Sequence, residues 1–479
     1  MTTQRSVLVV GGGLAGITAA IALRDAGLDV TLLEARPRLG GAATSYQRGE
    51  MTVDNGQHVF LRCCTSYAGL IARLGMTGSV TIQDRFDVTV LSPSGQARLR
   101  RSNLPAPLHL ARALAGYSLL SAGERARVGR AALGFRFASA DDARLDAVRL
   151  GDWLASRGQG ERARRRLWDL FVVSSLNIAG DEASVQLATT VIKTALLGAN
   201  DAADIGMAAV PLGRLHAEAT ADLLERLGAR IRLSAGAEAI EPQAGGGFRV
   251  RLTHDRESLS ADGVVIAVPA ARAGPLAESA GVPRAAASAW SRLGASPIVN
   301  VHVLYDRKVM DLPFAAAVDS PVQWVFDKTS QAGLTRGQYL AVSLSAAGDI
   351  AEQPVSALRE MFVPALEQLL PKAAGASITD FFVTREPRAT FWQGPGSGAL
   401  RPGTATSVPG IVLAGSWTDT GWPDTMEGAV RSGQTAARAL ISQLATRPAG
   451  GSVPAAQPGG TVAATTDAAT TGASWSGTA

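Results

Sequence analysis

Three glycines, Gly11, Gly13 and Gly16, follow the valine-rich run Val7 to Val10 and open an apolar stretch of helical length. That context gives the spacing its chemistry. The first glycine permits a tight turn, the second lets the backbone approach a pyrophosphate, and the third lets a helix lie close on a strand. The helix start, at Leu14 and Ala15, then offers bare amides and a positive dipole end to an anion. Glu34 stands 18 residues beyond Gly16, at the end of the next strand-like run, where a carboxylate accepts both hydroxyls of a ribose. The run E-A-R-P-R-L-G-G at 34–41 adds to this. Gly40 and Gly41 bring further backbone amides toward phosphate, next to Ala35, and Arg36 and Arg38 can meet phosphate or adenine.

No other chemistry competes with this nucleotide site. The five histidines, at 58, 109, 216, 254 and 302, show no ligand spacing, and two cysteines cannot make a thiolate cage, so no metal is expected. A G-x-S-x-G elbow and a Walker lysine are both missing, which sets aside hydrolase and nucleotidase readings. Cys63 and Cys64 are adjacent and would close a strained ring as a disulfide; a reducing cytoplasm suits them. Lys plus Arg is 46 against 41 Asp plus Glu, and the basicity is almost all arginine, spread widely, with no nucleic-acid stripe. One dense run, Arg162, Arg164, Arg165 and Arg166, stands just before Leu167 and Trp168. It reads either as a solvated helix or as a helix resting on an anionic membrane surface.

The elements that must position these residues follow from the hydrophobic pattern. At 479 residues and 46% hydrophobic, the chain is long enough for two or three domains. Residues 6–34 read as strand, turn, helix and strand, one βαβ unit. The stretch Ser6 to Leu23 is uncharged for 18 positions and imitates a membrane span, but its glycine turn argues for strand and helix. Residues 104–200 read as mainly helical. A helix at 213–228 precedes strands at 229–233, 248–252 and 263–268. Residues 285–400 read as a mixed α+β layer, with I-V-N-V-H-V-L-Y, V-Q-W-V-F and Y-L-A-V-S-L-S as strands and a helix around 354–370. A last strand and helix follow. Beyond about 446 the chain is Thr, Ala, Gly, Pro and Ser, which cannot offset its ordering entropy, and a disordered tail is expected over 446–479.

With these elements in place, the segment at 34–41 resembles the flavin-dependent amine oxidase and phytoene desaturase superfamily, in which it holds the adenosine and pyrophosphate of FAD. Three more segments are similar in the same order. D-N-G-Q-H-V-F at 54–60 resembles the stretch beside the isoalloxazine, which implies flavin contacts at Gly56 and Gln57. A-G-A-E-A-I at 235–240 resembles the strand whose backbone meets adenine, at Ala237. G-I-V-L-A-G-S-W-T-D-T-G-W-P-D-T-M-E-G-A-V-R-S-G at 410–433 resembles the closing flavin motif. It implies Gly415 and Ser416 beside the ribityl chain, and Met426 and Glu427 at the start of a helix whose dipole stabilises negative charge at flavin N1. The chain departs from the family at Ala42, where an arginine often follows Gly-Gly, and at Ser416, where Asp or Glu is usual. The implied fold class is α/β, with a discontinuous Rossmann-like FAD-binding domain (1–80, 205–275 and 405–445). A mixed α+β substrate domain (81–204 and 276–404) joins it, with a helical subdomain at about 104–200.

The combination of D-N-G-Q-H-V-F-L-R-C-C-T-S-Y, the closing motif and R-A-T-F at 388–391 is most similar to the hydroxysqualene dehydroxylases of bacterial hopanoid synthesis. That resemblance implies reductive loss of a hydroxyl from hydroxysqualene to give squalene. Candidate acids for the leaving hydroxyl are His58, Asp419 and Asp424, set against a capping or structural role for each. Phe60, Trp417 and Trp422 offer π faces to a passing cation or simply pack. The partners implied are a polyprenyl or triterpene substrate, a peripheral membrane contact on the cytoplasmic side and neighbouring squalene-pathway enzymes. An oxidative desaturase or amine oxidase on the same fold, and a non-catalytic flavoprotein that binds polyprenyl lipid, are the alternatives.

Overall fold

The computed structural model describes residues 4–253 and 257–446. Five short strands far apart in the chain form one parallel sheet, in the order Arg230–Arg232, Asp29–Leu33, Ser6–Val10, Gly263–Ile266 and Ile411–Leu413. Val9 stands opposite Leu32 on one side and Val265 on the other. These strands read as unbroken aliphatic runs because both faces are covered, one by helices and the other by helix Ala270–Ser279 and an antiparallel sheet. Helix Leu14–Asp25 is buried on nearly every side, since it lies between the sheet and the closing helix Met426–Thr446. Small residues permit that approach: a Cβ on Gly433 would stand 2.3 Å from the carbonyl oxygen of Ala15. An antiparallel sheet of Ala237–Pro242, Phe248–Leu252 and Ser258–Ala261 flanks this layer.

A second, seven-stranded sheet runs in the order Ile378–Thr390, Ser296–Tyr305, Gln338–Leu344, Trp324–Asp327, Phe314–Ala317, Asp87–Ser92 and Gly95–Arg100. Its second strand, Ser296–Tyr305, alternates with the period of two that a strand imposes. Val299, Val301 and Val303 enter the apolar cluster under helix Val355–Leu369. Asn300 and His302 therefore face the other way, toward the hairpin Ser45–Arg48/Met51–Asp54 and the loop after it. His302 is fully buried, with Nδ1 2.7 Å from Tyr339 Oη and Nε2 2.9 Å from Thr384 Oγ1.

Burial pushes His302 down to about 3 and His216 to about 4, from 6.5. Both are neutral in the fold, whereas unfolded histidine binds a proton near 6.5. The unfolded chain thus gains protons first as pH falls, and stability drops between pH 6.5 and 4. We expect the thermal midpoint to fall across that window and His302→Gln to flatten part of the slope.

The region from 104 to 200 is helical, as expected: Ala122–Phe137, Leu150–Ala155, Asp169–Leu176 and Val185–Val191 pack around Phe135, Trp153 and Trp168. Helix 213–228 is found as Gly213–Arg226, its first turn wound as a π-helix. Several strands escaped the sequence reading, among them the hairpin Asp87–Ser92/Gly95–Arg100 and the 13-residue strand Ile378–Thr390. In I-T-D-F-F-V-T-R-E-P-R-A-T charged residues recur among the apolar ones, and a proline interrupts the pattern. The expected tail lies, from residue 447 on, outside the described residues.

Candidate active site

The turn after Val10 is too tight for side chains. Gly11 has φ +114, and a Cβ on Gly16 would stand 1.8 Å from the Gly11 carbonyl oxygen. Gly13 begins the helix with no side-chain cap, and no acid stands in the first turn, so the amides of Leu14, Ala15 and Gly16 form a bare donor set. The second glycine turn lies on the first. Gly40 N–H donates to Gly12 O at 2.9 Å. A Cβ on Gly41 would come within 2.8 Å of Gly13 Cα.

Glu34 is buried at the strand end, where Oε2 accepts from Gly12 N–H at 2.7 Å and Oε1 from Arg36 N–H at 2.8 Å. It therefore clamps the turn, a structural role the spacing did not show, and each oxygen keeps acceptor capacity for a ribose. Ala35, Arg36 and Ala42 are exposed beside it. Ser234 and Ala235 donate their N–H groups to Arg36 O and Glu34 O, which lays the segment leading into Ala237 along the same strand end.

A second constellation gathers around Asn55. Its Oδ1 accepts from Thr44 N–H at 3.0 Å and its Nδ2 donates to Ala42 O at 2.8 Å. Its carbonyl is met from the seven-stranded sheet by Asn300 Nδ2 and Thr384 Oγ1, both at 3.4 Å. Gly56 follows beside Asn300: an added Cβ would lie in ordinary contact with Nδ2, at 3.6 Å. Three buried polar atoms here have no partner: Thr44 Oγ1, Gln57 Nε2 and Asn300 Oδ1. Each such atom costs about 1–3 kcal/mol, and native interiors hold few of them. A polar group bound against Gly56 would relieve that cost. Sequence reasoning found Gly56 and Gln57 but missed Asn300 and Thr44.

The closing motif forms a third. Gly415 N–H donates to Ser432 Oγ at 2.8 Å, and the loop beyond is held from within by Arg401, which donates to the carbonyls of Ser416, Thr418 and Trp422. Thr425 Oγ1 accepts from Gly428 N–H at 3.3 Å and caps the helix that begins at Met426. Asp424 stands just before this cap. Its N–H donates to Gln393 Oε1 at 3.0 Å, and its Oδ2 accepts from Phe391 N–H at 2.7 Å. Burial pushes the Asp424 carboxyl up, against the pull of the Ser416 hydroxyl, the Phe391 amide and Arg401. Gln393, fully buried and missed in the sequence, also donates to Leu176 O at 2.7 Å and so ties the helical region to this loop.

Several expected site residues are placed otherwise. Asp419 is exposed and makes a turn contact with Gly421 N–H at 3.4 Å, so it stands in water instead of a shielded pocket. Glu427 accepts from Ser66 N–H and Tyr67 N–H and from Arg431 Nε; its carboxylate caps helix Thr65–Arg73. Phe60 is core: it packs edge-on against Tyr67 at 5.1 Å, with Gly206 over its ring. Trp417 is buried too, its Nε1 donating to Val268 O at 3.0 Å. Trp422 is buried with the Arg431 guanidinium 4.3 Å over its ring. His58 Nδ1 lies 3.2 Å from Gly56 O, and burial lowers its pKa, so the ring is neutral and has no ready proton. Among the described residues no group of three or more His, Cys, Asp or Glu could hold a metal.

Residues 14–441 match the flavin containing amine oxidoreductases. The chain belongs to that family. It is an FAD-dependent oxidoreductase. It is 29% identical over 463 residues to the hydroxysqualene dehydroxylase of Sinorhizobium fredii, covering 92% of this chain and 100% of the relative. It is 24% identical over 486 residues to the zeta-carotene desaturase of a Synechocystis species, covering 92% and 98%. The fold is shared with wild-type putrescine oxidase bound to putrescine, at TM-score 0.67 and 19% identity over 92% of this chain and 99% of that one.

The residues of this oxidoreductase fit FAD. Paired glycine turns leave a cradle that a Cβ would fill, a helix start carries bare amides, and unpartnered polar atoms surround Gly56. Asn300→Leu removes the unpartnered Oδ1 together with the Nδ2 bond to Asn55 O, and keeps the branched shape of the side chain. We expect it to fold normally and to release FAD about tenfold more readily, the effect of one hydrogen bond. Flavin retained through gel filtration checks this.

Proposed function

We propose that this oxidoreductase removes the hydroxyl of hydroxysqualene to give squalene, in hopanoid or triterpenoid synthesis. The observation that carries the reading is the end-to-end similarity to a hydroxysqualene dehydroxylase. Asp424 supports it chemically, because the carbon–oxygen bond breaks only if the hydroxyl leaves as water. Burial raises the pKa of this carboxyl, the direction a proton donor requires. When bound, reduced FAD would supply the hydride that completes the product. We assign the glycine turns and Glu34 to the adenosine diphosphate arm, Gly56, Gln57 and Asn300 to the ring, and Gly415, Ser416 and Met426 to the ribityl end. The FAD-binding part comprises 1–80, 205–275 and 405–445, and the substrate part 81–204 and 276–404.

Substrate and product are C30 chains, an alcohol and a hydrocarbon, that stay in lipid, at about 0.8 kcal/mol per buried methylene-sized group. The reading therefore includes a peripheral membrane contact and neighbouring enzymes that make hydroxysqualene and consume squalene. No helix among the described residues is long and apolar enough to cross a membrane.

The similarity to zeta-carotene desaturase favours an oxidative alternative. Incubating the FAD-loaded protein with either hydroxysqualene and a reductant or with a carotene and an oxidant separates the two. Squalene in the first mixture and unchanged carotene in the second is the expected result; the converse overturns the proposal.

A further inference from the structure

Nine large apolar side chains are exposed among the described residues, and four of them, Leu104, Leu108, Leu133 and Phe137, fall in one part of the helical region. Phe137 is 83% exposed, at the last position of helix Ala122–Phe137. Arg130, Leu133 and Phe137 follow at spacings of three and four, so they share one helix face, with Arg127 and Arg136 beside it and also exposed. Leu104 and Leu108 lead into helix Ala111–Ala115, which packs on this helix and presents Arg112.

The charges here differ from those of the dense arginine run. Arg164 pairs with Asp181 at 3.1 Å, Arg165 with Glu161 at 2.7 Å and Arg166 with Asp319 at 2.7 Å, while Arg162 donates to Leu119 O. That run is spent on internal contacts. Arg127, Arg130 and Arg136 are exposed and come within 4 Å of no described carboxylate oxygen, although Arg127 feels the charge of Glu124 and leans with Arg130 on the turn at Gly158.

We propose that this face of helix Ala122–Phe137, with Leu104 and Leu108, rests on a bilayer carrying anionic headgroups. Apolar side chains enter the headgroup boundary, guanidinium groups meet phosphate, and the two attractions add. A second copy of the chain would cover the same leucines and phenylalanine but would bring arginines against arginines, so charge favours the lipid. The inference rests on the proposed function for its purpose alone: a hydroxylated hydrocarbon must be drawn from lipid.

Sedimentation of the FAD-loaded, full-length protein with vesicles tests it. Vesicles of phosphatidylcholine alone are compared with vesicles that also contain phosphatidylglycerol. Binding at least about tenfold tighter to the anionic vesicles, weakening with salt, is expected. Leu133→Ser with Phe137→Ser should weaken binding about tenfold, and Arg127→Gln, Arg130→Gln and Arg136→Gln together should abolish the anionic preference. Val355→Ser with Met361→Ser, exposed apolar residues on another helix, should bind as wild type. FAD content and thermal midpoint confirm that each variant is folded. Wild type that ignores anionic vesicles, a double variant that binds as wild type, or a dimer that the double variant converts to monomer would each overturn the proposal. No substrate is present, so failure here is separate from failure of the hydroxysqualene reaction.

Discussion

Asp424→Asn should lower turnover of hydroxysqualene by about 10²–10³-fold, within the range for loss of a general acid, while FAD content and absorption stay near wild type. The carboxyl accepts from the Phe391 amide and is met by the Ser416 hydroxyl, and the residue's own N–H is held by Gln393, so a side-chain amide of the same shape keeps the loop in place. What the substitution removes is the proton. Because burial raises the Asp424 pKa, wild-type activity should be highest where the acid is protonated and fall as pH rises through that elevated value. The Asn variant should show no such limb. A pH profile of kcat for both proteins checks this; an unchanged limb in the variant would move the acid elsewhere.

The second large effect concerns the glycine turn. Gly16→Ala places a methyl 1.8 Å from the carbonyl oxygen of Gly11, an approach that only backbone movement can relieve. The helix start must then leave the strand end, and the amides of Leu14 and Ala15 leave with it. We expect FAD occupancy below about a tenth of wild type and a stability loss of about 3 kcal/mol or more, typical of severe overpacking. Gly69→Ala is the matched control. Gly69 lies inside helix Thr65–Arg73 with nothing within 4 Å of an added Cβ. Alanine there should be neutral or stabilising by up to about 1 kcal/mol. Flavin absorbance per protein and thermal melts of both variants decide the point.

The glycine turn and its strands were legible because each rests on local physics: consecutive aliphatic residues, a glycine where φ is positive, and an acid at the strand end. Glu34 shows the limit of that reading. Its position was evident, but its bond to Gly12 N–H depends on how closely the turn curls back. Asn300 and His302 carried a signal that went unused, since their polar side chains alternate with Val299, Val301 and Val303 along the strand. The alternation says that one face is packed and the other serves something polar; it cannot say that this something is Asn55, 245 residues away. Glu427, Phe60 and Trp417 make contacts that the motif did not show, for the same reason. A carboxylate or an aromatic ring in a flavin motif looks chemical, yet helix Thr65–Arg73 and the surrounding core claim these three. The arginine run was open between two readings, and partners as distant as Asp319 decided for internal ion pairs.

The most direct test of hydride flow is a single anaerobic titration. The FAD-loaded protein is reduced, excess reductant is removed, and hydroxysqualene is added in dilute detergent while the visible spectrum is followed. The oxidised flavin spectrum should return, with one squalene formed per flavin reoxidised. A spectrum that stays reduced with saturating hydroxysqualene, in protein that air still reoxidises, would contradict hydride delivery by the flavin.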